Sequence, residues 1–167
     1  DNDDYSSCRN SYVLEFSSAG YYSLDGQFKW QADKRPGQAI PRAHWRQDNP
    51  GTFDVGDVYG SGGPTGVTFY ENGALDSKWN GMFLSGEASR NTVFGYLPRP
   101  KGATYELNRF NFFTTQADAE IAAEESDAEA DKRIFFRPSD VAVGPDVAIY
   151  VADWYDAGSG GHSTRDE

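Results

Sequence analysis

Two carboxylates and two aromatic rings follow one another near the end of the sequence, as Asp153-Trp154-Tyr155-Asp156. Carboxylate oxygens are ligands that Ca²⁺ prefers, and they also accept hydrogen bonds from sugar hydroxyl groups. Trp and Tyr rings can stack on a planar quinone or on the face of a sugar. These four residues are therefore the strongest candidate site. The alternative is that the two rings pack between elements of the fold and that Asp153 caps a turn.

A short β-hairpin is expected to position these four residues. Residues 137–140 form a turn, and residues 141–143 are a short apolar strand. Gly144-Pro145-Asp146 breaks the chain, and residues 148–152 form a second strand rich in β-formers. The candidate residues follow this strand directly and run into a Gly-rich loop that ends at His162, where loops are free to carry function.

A second group of polar and aromatic residues lies in residues 40–51, between two prolines. It contains a His, a Trp, two Arg and an Asp within a dozen positions, a composition that is costly to bury and useful at a site. His44 could act there as a general base or as a hydrogen-bond donor. The alternative is that His44 only forms a hydrogen bond within its loop.

The sequence begins with Asp1-Asn2-Asp3-Asp4, four side chains that carry oxygen. Clustered oxygens attract Ca²⁺, so Asp1 and Asp3 are candidate metal ligands. The Gly and distal Glu of a complete calcium loop are absent, and a solvated run of charge is the alternative.

Strand patterns follow one another through the middle of the chain. Residues 67–70, 81–86, 91–97 and 104–113 each predict a strand, and the four together predict one antiparallel sheet over about 50 residues. Tyr, Leu and Phe alternate with other residues over positions 12–16, which predicts another strand nearer the start.

A family resemblance rests on the hairpin. The strings Val-Ala-Val-Gly-Pro-Asp (141–146) and Ile-Tyr-Val-Ala-Asp (149–153) resemble the repeat hairpin of six-bladed β-propellers. The fuller string, with Asp-Trp-Tyr-Asp and Gly-Gly-His, resembles the exported glucose/sorbosone-dehydrogenase-like propellers of planctomycete-type bacteria. His44-Trp45 with Asn49-Pro50-Gly51 is a further match, and only the acidic insertion falls outside the resemblance.

One position departs from the family. Its hairpin turn usually carries Asp-Gly, whereas this chain has Asp146-Val147. Gly adopts positive φ easily and Val does not. We therefore expect a turn of different geometry, or Asp146 alone in the strained position.

The resemblance implies an enzyme that oxidises a small sugar or alcohol. Pyrroloquinoline quinone (PQQ) would accept the hydride, and Ca²⁺ would polarise the quinone. An Arg-Asn pair contacts the quinone in similar enzymes, which makes Arg90 and Asn91 candidates. The full expected set is His44 as catalytic residue, Arg90, Asn91, Trp154, Tyr155 and His162 as cofactor ligands, and Asp1, Asp3, Asp153 and Asp156 as metal ligands. The family's own catalytic His is expected in a region upstream of Asp1.

The fold expected from these patterns is all-β, a partial β-propeller of about two to three four-stranded blades. Residues 1–51 would be an incomplete blade with a long loop, and residues 52–115 one complete blade. Residues 116–133 would be an acidic insertion that is helical or disordered, because it is rich in Ala and Glu and lacks an apolar stripe. Residues 134–167 would begin the next blade.

Composition excludes several other functions. The net charge of −11 makes nucleic acid an unsuitable partner. No run approaches the ~20 apolar residues of a membrane span. The two His lie far apart, so a zinc cluster is not expected, and the Gly-rich residues 60–66 lack the Gly-Lys-Ser/Thr of a phosphate-binding loop. Cys8 stands alone, either as a buried thiol or paired outside this chain.

Two functional hypotheses therefore remain. In the first, the chain is part of a periplasmic or extracellular dehydrogenase propeller that uses a quinone and calcium. In the second, it is a non-catalytic propeller segment that binds carbohydrate or protein, or serves assembly. An open arc of blades exposes its edges, so both hypotheses require the remaining blades or companion chains.

Overall fold

The computed structural model describes residues 8–19, 36–37, 39, 51–71, 73–116 and 134–156. The strands within these ranges are β1 (Cys8–Asn10), β2 (Asp57–Gly60), β3 (Pro64–Tyr70), β4 (Met82–Glu87), β5 (Thr92–Tyr96), β6 (Arg99–Lys101), β7 (Thr104–Glu106), β8 (Arg109–Thr114), β9 (Pro138–Val143) and β10 (Ile149–Asp153). The helical elements in the same ranges are two 3₁₀ turns, Ser77–Trp79 and Ala88–Arg90. The predicted all-β class is confirmed. No helix in this described part is long and apolar enough to cross a membrane.

The chain divides into two compact units, one of Asp1–Ser61 with Arg99–Glu106 and one of Gly62–Pro98 with Leu107–Glu167. The acidic insertion was predicted over residues 116–133, and all of it except its first residue lies outside the described residues.

The first unit contains two antiparallel pairs, β1 with β2 and β6 with β7. The strand predicted over residues 12–16 is wrong. Ser17 donates to the carbonyl oxygen of Leu14 through both its backbone N–H and its hydroxyl, and this closes a turn. Phe16 sits in that turn at φ 62° and is 98% exposed. A Ser side chain that bonds to nearby backbone competes with strand pairing, and here the local turn forms.

The second unit is built on a four-stranded antiparallel sheet with strand order β3-β4-β5-β8. The strands predicted at 67–70, 81–86 and 91–97 correspond to β3, β4 and β5. The fourth predicted strand, residues 104–113, is divided by the structure. Its first part forms a hairpin with Arg99–Lys101 around Gly102 at φ 61°, and its second part becomes β8.

The core of this unit lies between one face of the sheet and the β9–β10 hairpin. The buried residues that form it are Tyr70, Met82, Leu84, Val93, Phe136 and Val141. The opposite face carries a row of rings in which Phe83 lies 5.3 Å from Phe69 and 5.3 Å from Tyr96, measured between ring centroids. The alternation of the strands thus supplies apolar residues to both faces.

Strand β9 approaches the sheet closely at its start. The Thr65 hydroxyl donates to the Pro138 carbonyl oxygen at 2.7 Å. A Cβ atom on Gly66 would lie 2.9 Å from the Cα of Asp140 and closer still to its carboxylate. The absence of a side chain at Gly66 is therefore what allows β9 to pack here.

The β9–β10 turn places Val147 in the positive-φ conformation that the family's Gly would adopt, although Val disfavours it. Val147, and not Asp146, takes the positive φ, at 60°. Its N–H donates to the carbonyl oxygen of Gly144 at 2.9 Å. Asp146 instead accepts from the N–H of Ala148 at 3.3 Å and from the Tyr150 hydroxyl at 2.8 Å. The Asp side chain is thus occupied in fixing the turn, and the strain falls on the next residue.

Candidate functional site

The structure describes six of the ten predicted site residues, namely Arg90, Asn91, Asp153, Trp154, Tyr155 and Asp156. The other four, Asp1, Asp3, His44 and His162, lie outside the described residues. The six belong to two segments of the second unit. We call them the 87–91 loop, between β4 and β5, and the 153–156 turn, at the end of β10.

Asp153 determines the shape of the 153–156 turn. Its Oδ1 accepts hydrogen bonds from the N–H of Arg137 at 2.8 Å and from the N–H of Tyr155 at 2.9 Å. The N–H of Trp154 donates to the carbonyl oxygen of Arg137 at 2.9 Å. Asp153 therefore has the turn-capping role that the sequence offered as an alternative.

The two rings of the turn project outward. Trp154 is 72% exposed and Tyr155 is 70% exposed. One side of Tyr155 stacks on Phe135, with ring centroids 5.3 Å apart and planes 30° from parallel. Because so little of Trp154 is covered, its indole face is available either to a ligand or to a neighbouring blade.

Buried Glu87 shapes the 87–91 loop. Its Oε1 accepts from the N–H of Gly63 and, at 3.1 Å, from the N–H of Ser89. The N–H of Ala88 in turn donates to the carbonyl oxygen of Gly63 at 2.9 Å. A Cβ atom on Gly63 would lie 2.8 Å from the Ser89 hydroxyl oxygen, so the loop and the start of β3 are closely joined.

Asn91 ends the 87–91 loop, and its side chain binds the backbone of the segment that precedes β9. The residue is buried and left-handed, with φ 52° and ψ 43°. Its Nδ2 donates to the carbonyl oxygens of Ile134 at 3.0 Å and Phe136 at 2.8 Å. Both hydrogens of the amide are thereby used. A contact from this amide N–H to a cofactor would require breaking one of these bonds. Arg90, one residue earlier, is half-buried.

Arg137 connects the two segments, and its role was missed from sequence. Its side chain is 5% exposed. One guanidinium nitrogen donates to the carbonyl oxygen of Ala88 at 2.9 Å, and Nε donates to that of Asp156 at 3.0 Å. The available signal was the position of an Arg directly before Pro138, the buried first residue of β9, since a buried Arg requires partners. The 87–91 loop and the 153–156 turn thus meet at one guanidinium.

The expected calcium ligands are described only in part, because Asp1 and Asp3 lie outside the described residues. No group of three or more His, Cys, Asp or Glu suited to a metal occurs in the part of the chain that the structure describes. Asp153 already accepts two backbone N–H bonds through Oδ1. Ca²⁺ takes about 6–8 oxygen ligands, so Asp153 and Asp156 alone would not complete its shell, and further donors such as Asp1 and Asp3 would be needed.

Among the described residues, Trp154 presents an exposed ring that would stack on a quinone such as PQQ, and half-buried Arg90 carries a guanidinium that would pair with its carboxylate groups. A guanidinium pairs with carboxylate groups of such a cofactor, and an indole stacks on its planar rings. Bound there, the group would supply hydride acceptance.

Comparison with known proteins gives one assignment. A family model described as a domain of unknown function (DUF7133) matches residues 20–157, which is most of the chain. No curated protein and no solved structure gives a significant match. The matched residues include the 87–91 loop, Arg137 and the 153–156 turn. The chain therefore belongs to the DUF7133 family.

Proposed function

We propose that the 153–156 turn binds a sugar or a closely related polyhydroxy ligand. The observation that carries this proposal is the 72% exposure of Trp154 on a turn whose backbone is fixed by Asp153 and Arg137. A large apolar ring held on rigid backbone loses little conformational entropy when it stacks on a sugar face.

The polar groups around Trp154 suit the same class of ligand. Asp156 is exposed, and Arg90 lies two residues from the carbonyl oxygen that Arg137 binds. A carboxylate accepts hydrogen bonds from sugar hydroxyl groups, and a guanidinium donates to them. Such directional bonds fix the orientation of a sugar ring that stacks on Trp154. A neutral polyhydroxy ligand also avoids repulsion from a chain of net charge −11.

We also propose that the second unit consists of consecutive parts of a β-propeller. Its support is the four-stranded meander, together with the close packing of β9 against Gly66 in the first strand of that sheet. In this arrangement β9 and β10 begin the next blade. The remaining blades would come from elsewhere in the protein or from companion chains, in the periplasm or outside the cell.

Sugar or alcohol oxidation with PQQ and Ca²⁺ is the enzymatic form of this proposal. The family resemblance of the hairpin supports it, and so does the presence of Arg90 and Trp154 in segments joined by Arg137. The test is dye reduction by the protein with PQQ, Ca²⁺ and D-glucose. Turnover that requires both additions supports oxidation. Glucose binding without turnover supports the non-catalytic binding module.

Binding is tested with 5-fluorotryptophan, because the chain has only four Trp residues and we expect them to give separate ¹⁹F resonances. Trp154→Phe assigns the Trp154 resonance by its loss, and Trp79, which packs on the core, is the internal control. Neutral sugars such as D-glucose, D-galactose, cellobiose and maltose are titrated in turn. We expect at least one to shift the Trp154 resonance and leave Trp79 unchanged. If none shifts it, the proposal is wrong.

A further inference from the structure

Arg137 contacts the 153–156 turn at both of its ends. At the start of the turn, the Arg137 N–H donates to Asp153 Oδ1 at 2.8 Å, and its carbonyl oxygen accepts from Trp154 at 2.9 Å. At the end of the turn, Arg137 Nε donates to the carbonyl oxygen of Asp156 at 3.0 Å. The segment that carries the exposed rings is thus held by backbone and side chain of one residue.

The same side chain also reaches the 87–91 loop. A second guanidinium nitrogen donates to the carbonyl oxygen of Ala88 at 2.9 Å. A guanidinium is planar, and its N–H groups point in fixed directions. Two carbonyl oxygens bound to one guanidinium are consequently held at a fixed separation. A movement of the loop that carries Arg90 would be transmitted to the turn that carries Trp154.

Burial makes this connection strong. Arg137 is 5% exposed, and a buried charge that loses its hydrogen bonds is strongly destabilised. Lysine cannot replace it, because a single ammonium on a flexible stem does not present two rigid N–H groups to separate carbonyls. An arginine at this position therefore does more than supply a positive charge.

We propose that Arg137 is the positioning residue of the ligand site, holding the 87–91 loop and the 153–156 turn as one surface. This inference rests on the proposed function of the turn. It identifies the site as composite, with Trp154 contributing the stacking ring and the 87–91 loop the adjoining surface. Arg137 itself does not touch the ligand.

Arg137→Lys is the test, with Arg99→Lys as the matched control because Arg99 is exposed. Two readouts are needed, namely the ¹⁹F resonance of Trp154 and the hydrogen exchange of backbone amides. In Arg137→Lys we expect the Trp154 resonance to shift or broaden and the Trp154 amide to exchange at least tenfold faster. The Trp79 resonance and the amide of Leu84 in the core sheet should stay unchanged. We expect the dissociation constant for D-glucose to rise by about tenfold.

The outcomes separate this inference from the proposed function. Equal acceleration of the Trp154 and Leu84 amides would show that Arg137 only stabilises the unit, and would overturn the positioning role. An unchanged Trp154 resonance would overturn it as well. If D-glucose and the other sugars leave Trp154 unaffected in the unsubstituted chain, the proposed function fails. The comparison of Trp154 and Leu84 amide exchange still tests whether Arg137 holds the 153–156 turn in place.

A second measurement needs no substitution, so it stands if Arg137→Lys does not fold. The Nε–H of Arg137 is buried and hydrogen-bonded to Asp156, and it should give an NMR resonance protected from exchange with water. During a D-glucose titration we expect this resonance to move in parallel with that of Trp154. An Nε–H that exchanges as fast as that of Arg99, or that ignores the titration while Trp154 responds, would contradict the proposal.

Discussion

Val147 lies directly against Gly73. A Cβ atom on Gly73 would come within 2.6 Å of the Val147 Cβ and 2.9 Å of the Tyr70 hydroxyl oxygen. The β9–β10 turn is thus seated on the connection that leaves β3. Val147 contacts this connection while it holds a φ of 60°, a conformation that is unfavourable for a β-branched residue.

Val147→Asn is expected to stabilise the protein by about 1 kcal/mol. Asn tolerates positive φ, and its Cβ keeps the contact with Gly73. The measurement is the free energy of unfolding from urea denaturation. Val143→Asn is the control, because Val143 lies in β9 with ordinary strand geometry and packs on the core. That control should be destabilised, and a loss of stability in Val147→Asn would show that the Val methyl contacts outweigh the backbone strain.

Gly66→Ala is expected to destabilise the second unit by about 1–3 kcal/mol. The added methyl group would meet the Asp140 backbone, so β9 must move away from the sheet. Gly102→Ala is the matched control, because nothing lies within 4 Å of that position and only its φ of 61° opposes a side chain. Thermal unfolding should show the larger decrease for Gly66→Ala. Equal decreases would mean that β9 is not closely packed against β3.

The strands were predicted correctly where a β-favouring sequence pattern coincides with a neighbouring strand to pair with. Residues 67–70 and 91–97 combine β-branched and aromatic residues with partners on adjacent strands, and they form β3 and β5. The pattern over residues 12–16 is equally regular, but Ser17 closes a local turn there. Alternation reports which residues could share a face, and it does not report whether a neighbouring strand is available.

The sequence indicated the exposed residues of the candidate site, but it did not indicate the buried residue that holds their segment in place. Trp154 and Tyr155 were visible as aromatic residues beside carboxylates, directly after a strand. The role of Arg137 depends on the carbonyl oxygens of Ala88 and Asp156, which are far from each other in sequence. Backbone acceptors carry no sequence signal, because every residue has one. Asn91 was predicted from the family resemblance as a cofactor ligand, and its amide donates to the carbonyl oxygens of Ile134 and Phe136, which the sequence did not indicate.

Asn91→Asp should destabilise the protein more than Asn91→Gly does. Gly keeps the left-handed conformation and loses two hydrogen bonds, which corresponds to about 1–3 kcal/mol. Asp keeps the shape but places carboxylate oxygens against the carbonyl oxygens of Ile134 and Phe136, where only a donor fits. Urea denaturation of the two variants measures the difference. The opposite order would mean that filling the site with a side chain, and not donation to the two carbonyl oxygens, is the main contribution of Asn91.

Tyr150→Phe should return the pKa of Asp146 toward its ordinary value of 3.8. In the folded chain the Tyr150 hydroxyl donates to Asp146 Oδ2 at 2.8 Å, and this bond, with a smaller contribution from the Ala148 N–H, lowers the pKa of Asp146. The same bond raises the pKa of Tyr150 above its ordinary 10.0. A lowered carboxyl pKa gives stability that is present above pH 3.8 and lost as pH falls through the folded-state pKa.

For Tyr150 the sign is opposite, since a raised pKa gives stability that is present below pH 10.0 and lost as pH rises through the folded-state pKa. The Asp146–Tyr150 hydrogen bond therefore stabilises the folded chain fully between pH 3.8 and pH 10.0, and this stabilisation is lost at more acidic and at more alkaline pH. Carbon-detected NMR titration of the Asp146 carboxyl, in the unsubstituted chain and in Tyr150→Phe, measures the shift directly. Tyr105→Phe is the control, because Tyr105 lies in β7 and its ring packs against Tyr12. An Asp146 titration that is the same in all three proteins would show that the Tyr150 hydroxyl does not hold this carboxylate in solution.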